Sequence, residues 1–243
     1  MPSKPLSPRA GYLLTIEGAD GVGKSTQLAR LRERLHHAGN QVSTYDFPNK
    51  SGTPIGELIG SFLRGAYGEV EPEFLALAFA ADRMTQRGKI LNQLAEGFTI
   101  ICDRYVASNV AFQSAKVSDI DRRRRLEAMI SWFEFEILKL PKPDLQIVLI
   151  APDEHFSGGN HLQRSHDQSR QYIETADIHE ARVDLQLAVN SYYRSLTPSQ
   201  SLRLINIQEG EHRLSETALA NRIWEVLTEM GLDVPRTDSK LDI

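Results

Sequence analysis

The chain has 243 residues, 41% of them hydrophobic and 25% charged, and a formal net charge of -4. Those values fit ordinary soluble globular material and exclude a non-specific nucleic-acid binder on bulk electrostatics. No apolar run approaches the ~20 residues of a membrane span. The lone Cys102 has no partner for an internal disulfide, so a reducing compartment, the cytoplasm, is expected.

Residues 1–11 hold three prolines and no apolar core, so they are expected to be a flexible tail rather than a signal peptide. Leu13-Leu14-Thr15-Ile16-Glu17 then reads as an apolar strand. It feeds Gly18-Ala19-Asp20-Gly21-Val22-Gly23-Lys24-Ser25-Thr26, a loop of the form G-x-x-x-x-G-K-S, and Leu28, Leu31 and Leu35 follow at helical spacing. Strand, glycine loop and helix in this order are the context a phosphate-binding P-loop requires. Glycines let successive backbone N–H groups converge on phosphate oxygens, and the opening helix adds its unpaired donors. Lys24 supplies a mobile charge for the β- and γ-phosphates and Ser25 a hydroxyl for Mg²⁺.

Further on, residues 42–47 read as a strand that Pro48 ends, and 53–63 and 73–96 as helices. A buried strand over 98–103 ends in Asp103, and a helix over 120–140 is stopped by Pro141-Lys142-Pro143. Residues 145–150 form another apolar strand. A polar segment over 153–177 contains Gly158-Gly159 and has the content of a closing lid. A helix over 178–196, a strand over 203–207 and a helix over 215–230 complete the pattern, and 232–243 is expected to be a second flexible tail. Strands alternate with helices, and the strands are apolar on both faces. The spacing therefore predicts a five-stranded, parallel, doubly wound sheet in one domain over 12–231, with ligands bound beyond the strand C-termini.

Asp103-Arg104-Tyr105 ends the third strand on that edge. A strand-end carboxylate beside a P-loop helps to hold Mg²⁺, and an arginine next to it needs an anion, for which a second phosphate is the obvious choice. Four consecutive arginines, Arg122 to Arg125, open a helix and read as a solvated face. His155, His161 and His166 lack the paired spacing of a zinc site.

Glu17 to Thr26, Phe47-Pro48, Phe79-Ala80-Ala81-Asp82-Arg83, Asp103-Arg104-Tyr105-Val106-Ala107-Ser108-Asn109-Val110-Ala111-Phe112 and Leu140-Pro141-Lys142-Pro143-Asp144 resemble, in order, the thymidylate kinase family. The likeness runs from Leu13 to about Leu196. It implies a Mg²⁺-dependent P-loop kinase that passes the γ-phosphoryl group of ATP to dTMP, as a homodimer whose long Ala-rich helix serves the interface. By resemblance, Gly18, Ala19, Asp20, Gly21, Val22, Gly23, Lys24, Ser25 and Thr26 bind ATP, and Asp20 also approaches the acceptor's 3′-hydroxyl and phosphate. Phe47 and Pro48 lie under the acceptor nucleotide. Phe79 stacks on thymine and Arg83 reaches a base carbonyl, with a core Phe and a solvated charge as the plainer readings of those two residues. Ser108 and Asn109 lie near the base edge, Tyr105 and Phe112 along the deoxyribose, and Arg104 clamps the acceptor phosphate with help from Lys50.

Some family members carry an arginine just after the position of Asp20. Gly21 stands there, so the catalytic arginine is expected from the lid, Arg170 first and Arg164 second. The more N-terminal of the two alternatively lies against adenine. Asp177-Ile178-His179-Glu180 resembles the end of family lids with His in place of a phenol, and Glu180 reaches a metal-bound water. Two other readings stand beside this one: a kinase for another acceptor, such as dUMP, a different monophosphate or a nucleoside, and a non-catalytic nucleotide-sensing P-loop module.

Overall fold

The computed structural model describes residues 11–49, 53–157 and 183–232. Five parallel strands, β1 (Tyr12–Gly18), β2 (Val42–Asp46), β3 (Thr99–Asp103), β4 (Leu145–Ile150) and β5 (Leu202–Asn206), pair in the order β2-β3-β1-β4-β5. Helices α1 (Lys24–His37) and α8 (Glu216–Glu229) cover one face. The other carries α3 (Pro72–Ala95), α4 (Val106–Ser114), α5 (Ile120–Trp132) and α7 (Val183–Ser195). Helix α2 (Pro54–Leu63) packs on α3. This is the doubly wound sheet the alternation predicts.

The strand period of two sorts β1 between the two layers. Leu14 and Ile16 pack with Leu31 and Leu35 of α1, whereas Leu13 joins Ile90, Leu94, Val110 and Ile130 of the opposite layer. Glu17 has the parity of Leu13, so it enters the α3–α7 side fully buried. Every residue of β1 and β3 is buried. β2, at the edge, is only partly covered, and its sequence is correspondingly polar. Among the described residues no helix is long and apolar enough to cross a membrane.

Several elements differ from expectation. α4 has no amphipathic signal because it is buried on nearly every side: Val106, Ser108, Asn109, Val110, Ala111, Gln113 and Ser114 are all covered. The helix expected over 120–140 turns at Trp132 into a π-helical segment, Phe133–Ile137, closed by Leu138 N–H to Phe133 O at 2.8 Å. A hairpin of β6 (Gln208–Glu209) and β7 (His212–Arg213) follows β5. At the start of the segment expected as a lid, the short helix α6 (Glu154–Ser157) buries Phe156 completely, and residues 158–177 lie outside the described residues. Leu232 belongs to the core, not to a tail. Its N–H bonds Leu227 O at 2.9 Å and Gly231 N–H bonds Thr228 O at 3.0 Å, a Schellman stop with Gly231 at φ 64. Gly11 is likewise packed, its N–H donating to Leu94 O at 2.9 Å. The expected residues Lys50, Arg164, Arg170 and Glu180 lie outside the described residues.

Candidate active site

The glycine loop joins β1 to α1 at the C-terminal edge of the sheet. Gly18 must be glycine on steric grounds, since a Cβ there would lie 2.5 Å from Leu149 O. Gly23, at φ 99, caps α1 without any side-chain hydrogen bond, which leaves the first helical N–H groups directed at the loop's hollow. Ala19 and Val22 are buried and hold the loop to the core. Lys24 Nζ donates to Ala19 O at 2.8 Å and lies 3.8 Å from Asp20 Oδ1. Thr26 follows in the first turn of α1, exposed.

β3 pairs directly with β1 and so delivers Asp103 and Arg104 to the edge that carries the loop. Asp103 Oδ2 accepts from Ser25 Oγ at 2.8 Å. A hydroxyl and a carboxylate facing each other are hard oxygen donors of the kind Mg²⁺ takes alongside phosphate oxygens, so the residues present fit that ion. Arg104 adopts φ 66, a conformation few non-glycine residues take, and such strain collects at functional positions. Its guanidinium forms an ion pair with Asp20 and donates from Nη1 to Gly18 O and to Ser108 Oγ, both at 3.2 Å. It also lies over the Phe112 ring, 4.7 Å from the centroid. Burial would drive its pKa down, but the Asp20 carboxylate overrides this and holds it above the ordinary value. Arg104 is thus engaged internally, yet the pair stays at the rim, with side-chain exposures of 17% and 19%.

Beneath Arg104 lies a polar pocket. Glu17 Oε2 accepts from Ser108 Oγ at 2.6 Å and from Tyr193 Oη at 3.3 Å, while Glu17 Oε1 has no hydrogen-bond partner among the described residues. Burial pushes the Glu17 carboxyl up despite Ser108 and Arg104 beside it. Ser108, for which the resemblance implies a place near the base edge, here supports Arg104 and Glu17 from below. Tyr105 also departs from expectation: it is 1% exposed, packed on Phe47, with its hydroxyl donated to Pro141 O at 3.1 Å. It shapes the cleft from behind.

The third group centres on Arg83, which is neither solvated nor open. It is buried, and its Nε and Nη2 donate to Glu134 at 2.5 and 2.6 Å. Glu134 reaches it because the π-helical segment turns that carboxylate inward. Burial would lower the Arg83 pKa, and Glu134 more than offsets this. Asn109 Nδ2 donates to Glu134 Oε1 at 2.8 Å and to Ala76 O at 3.0 Å, leaving its Oδ1 buried without a partner among the described residues. The Arg83 guanidinium also lies 6.0 Å from the Phe47 centroid. Asn49 N–H donates to Asp82 Oδ2 at 2.8 Å, which pins the Phe47-Pro48 loop to α3. Phe79 is half-buried against Ile59, Phe62 and Leu63. Arg83, Asn109 and Phe47 are thereby brought together; Phe79 stands beside α2.

Sequence reasoning missed Glu134, Gln186, Tyr193 and, beside the glycine loop, His155 and Arg213. His155 Nε2 is 3.2 Å and Arg213 Nη2 is 3.5 Å from Gly21 O, and Arg213 Nη1 lies 3.2 Å from His155 Nδ1. None carries a local signal, because each acts across a long stretch of chain.

A glycine loop opening a helix at the edge of a parallel sheet, with a strand-end carboxylate on its serine and an arginine at the same rim, defines a P-loop kinase fold. Residues 16–192 match the family model described as thymidylate kinase. The thymidylate kinase of Arabidopsis thaliana is 31% identical over 86% of this chain and 71% of its own length, and that of Mycobacterium tuberculosis 31% over 76% and 85%. The human thymidylate kinase is 37% identical, and the chain spans 63% of its length. The solved thymidylate kinase of Candida albicans superposes with a TM-score of 0.71 at 25% identity, covering 94% of this chain and 96% of that one. The chain belongs to the thymidylate kinase family.

Proposed function

We propose that this kinase transfers the γ-phosphoryl group of Mg²⁺-ATP to dTMP, giving dTDP and ADP. The observation that carries the reading is the pairing of Arg104 with Asp20, which sets an anion-seeking guanidinium one ion pair away from the triphosphate loop. Loop amides and Lys24 hold the donor; Arg104 holds the acceptor phosphate, aided by Lys50. Ser25 and Asp103 would hold Mg²⁺, with Glu180 reaching its water, and the ion neutralises phosphate charge when bound. Arg170, or Arg164, is assigned the charge that builds on the moving group. No general base is required: the acceptor is already an anion, so positioning and charge neutralisation carry the rate.

The base edge supports thymine. Asn109 Oδ1 is an acceptor in want of a donor, which a ring N3–H supplies and cytosine lacks. Arg83 keeps Nη1 for a carbonyl after Glu134 has taken its other side. With purified protein, Mg²⁺ and ATP, dTMP is expected to be preferred over dCMP by on the order of 10⁴ in kcat/KM, as for sites that pair one polar edge. dUMP, lacking only a methyl group, is expected to be poorer by about 10- to 200-fold. Equal turnover of dCMP or AMP would refute the assignment, and nucleotide binding indifferent to every monophosphate would favour a sensing module.

A homodimer is supported by α3. Phe74, Leu77 and Met84 are 59%, 42% and 42% exposed. With exposed Ala81 and Gly88 they repeat at spacings of three and four, the seam of a helix that packs on a like helix. A Cβ on Gly88 would touch nothing within 4 Å, so nothing inside the chain demands glycine there. Leu77→Glu is expected to halve the solution mass by light scattering; a monomeric parent protein would remove this reading. The buried lone thiol of Cys102 suits a reducing compartment such as the cytoplasm.

A further inference from the structure

Helix α7 reaches the phosphate loop through the side chain of Gln186. Gln186 is fully buried. Its Nε2 donates to Asp20 Oδ2 at 2.8 Å, and its Oε1 accepts the Asp20 backbone N–H at 2.8 Å. One amide thus grips both polar ends of one residue and leaves the Asp20 carboxylate a single orientation. In that orientation Oδ1 meets the described cations: it pairs with Arg104 and lies 3.8 Å from Lys24. Two turns along the same helix, Tyr193 Oη meets Ser108 Oγ at 3.0 Å, so α7 also backs the support on which Arg104 rests.

We infer that Gln186 is a positioning residue for phosphoryl acceptance: it rations Asp20 to one oxygen for Arg104, so that the guanidinium keeps donors for an incoming phosphate. The physical reason is geometric. A carboxylate free to rotate meets a guanidinium with both oxygens in a parallel fork, the strongest arrangement available to the pair. Such a fork would compete directly with the acceptor phosphate for the same N–H groups. Tying Oδ2 to an amide forbids it, and tying the backbone N–H as well prevents the loop from following the side chain. Nothing in the local sequence marks Gln186 for this, since it lies 166 residues from Asp20. The inference rests on Arg104 being the acceptor-phosphate clamp.

The test compares Gln186→Leu and Gln186→Glu in the full chain. Gln186→Leu removes both bonds at similar bulk. KM for dTMP is expected to rise about 10- to 100-fold, the range for losing a hydrogen bond to a charged group, with KM for ATP within about twofold. Gln186→Glu keeps the shape but offers Asp20 Oδ2 no proton when ionised. The groups facing it are Asp20, Arg104 and Lys24 around the loop, with Glu17, Ser108 and Tyr193 behind and Asp103 beside Arg104. Its KM for dTMP, taken as a ratio to the parent protein, should be high near about pH 8 and fall toward about pH 6, where a proton shared by the two carboxyls restores the donor. A merely structural glutamine would raise both KM values together and show no such recovery, and either result overturns the inference. Gln186→Glu, being isosteric, keeps the question decidable if Gln186→Leu fails to fold. A parent protein that never turns over dTMP would mark failure of the acceptor assignment and not of the Gln186–Asp20 geometry, which the pH-dependent melting of Gln186→Glu reads in the absence of substrate.

Discussion

Arg104→Met is expected to lower kcat/KM for dTMP by about 10³-fold or more, the scale for removing a guanidinium from a phosphoryl-transfer site. Methionine keeps the bulk over Phe112 and leaves the strained φ in place, so the loss isolates the charge and the fork. KM for ATP should change little, because the proposed donor grip, Lys24 and the loop amides, does not include Arg104. Arg104→Lys should restore part of the binding but not the rate, since an ammonium cannot span two phosphate oxygens as a planar fork does. Steady-state kinetics with each substrate varied in turn checks both. A loss under about tenfold would mean that Arg104 serves Asp20 alone.

Glu134→Ala is expected to be the most destabilising single change in the site. Arg83 is 2% exposed and Glu134 0%, so truncation strands a buried cation and removes a partner of Asn109 as well. Breaking a buried pair from one side costs about 3–5 kcal/mol. At about 2–4 °C per kcal/mol for a chain of this size, Tm should fall by roughly 6–20 °C. The double variant Arg83→Met with Glu134→Leu removes both charges, and much of that stability should return, since well-packed apolar replacements of buried pairs are often neutral. Thymine preference should not return with it, because the Arg83 donor would still be missing. Calorimetry on the two variants, followed by the acceptor comparison on the double, separates holding the fold from reading the base. A single variant that melts with the parent would show the pair to be dispensable.

Much of the site was legible because its chemistry is local. The loop needs Gly18 where a Cβ would strike Leu149 O, and Lys24 and Ser25 where the helix begins, all within nine residues. Asp103 and Arg104 were legible from an apolar strand ending in charge. Tyr105 and Ser108 were misplaced because burial, not residue type, decides whether a side chain faces a cleft. Tyr105 follows Arg104 directly and Ser108 lies four residues on, but they point into the core and toward Glu17. α4 was overlooked because a helix covered on all sides has no polar stripe to reveal its period.

Residue order alone indicated the sheet, the glycine loop and the strand-end carboxylate with its arginine, since each depends on backbone geometry and on neighbours a few positions apart. Only tertiary packing settled what the charges face. Arg83 finds Glu134 across 51 residues, and Asp20 finds Gln186 across 166. The reason is that a charge can be buried only where a distant part of the chain brings it a counter-charge or a hydrogen bond, and such pairing leaves no periodic trace in the sequence that encodes it.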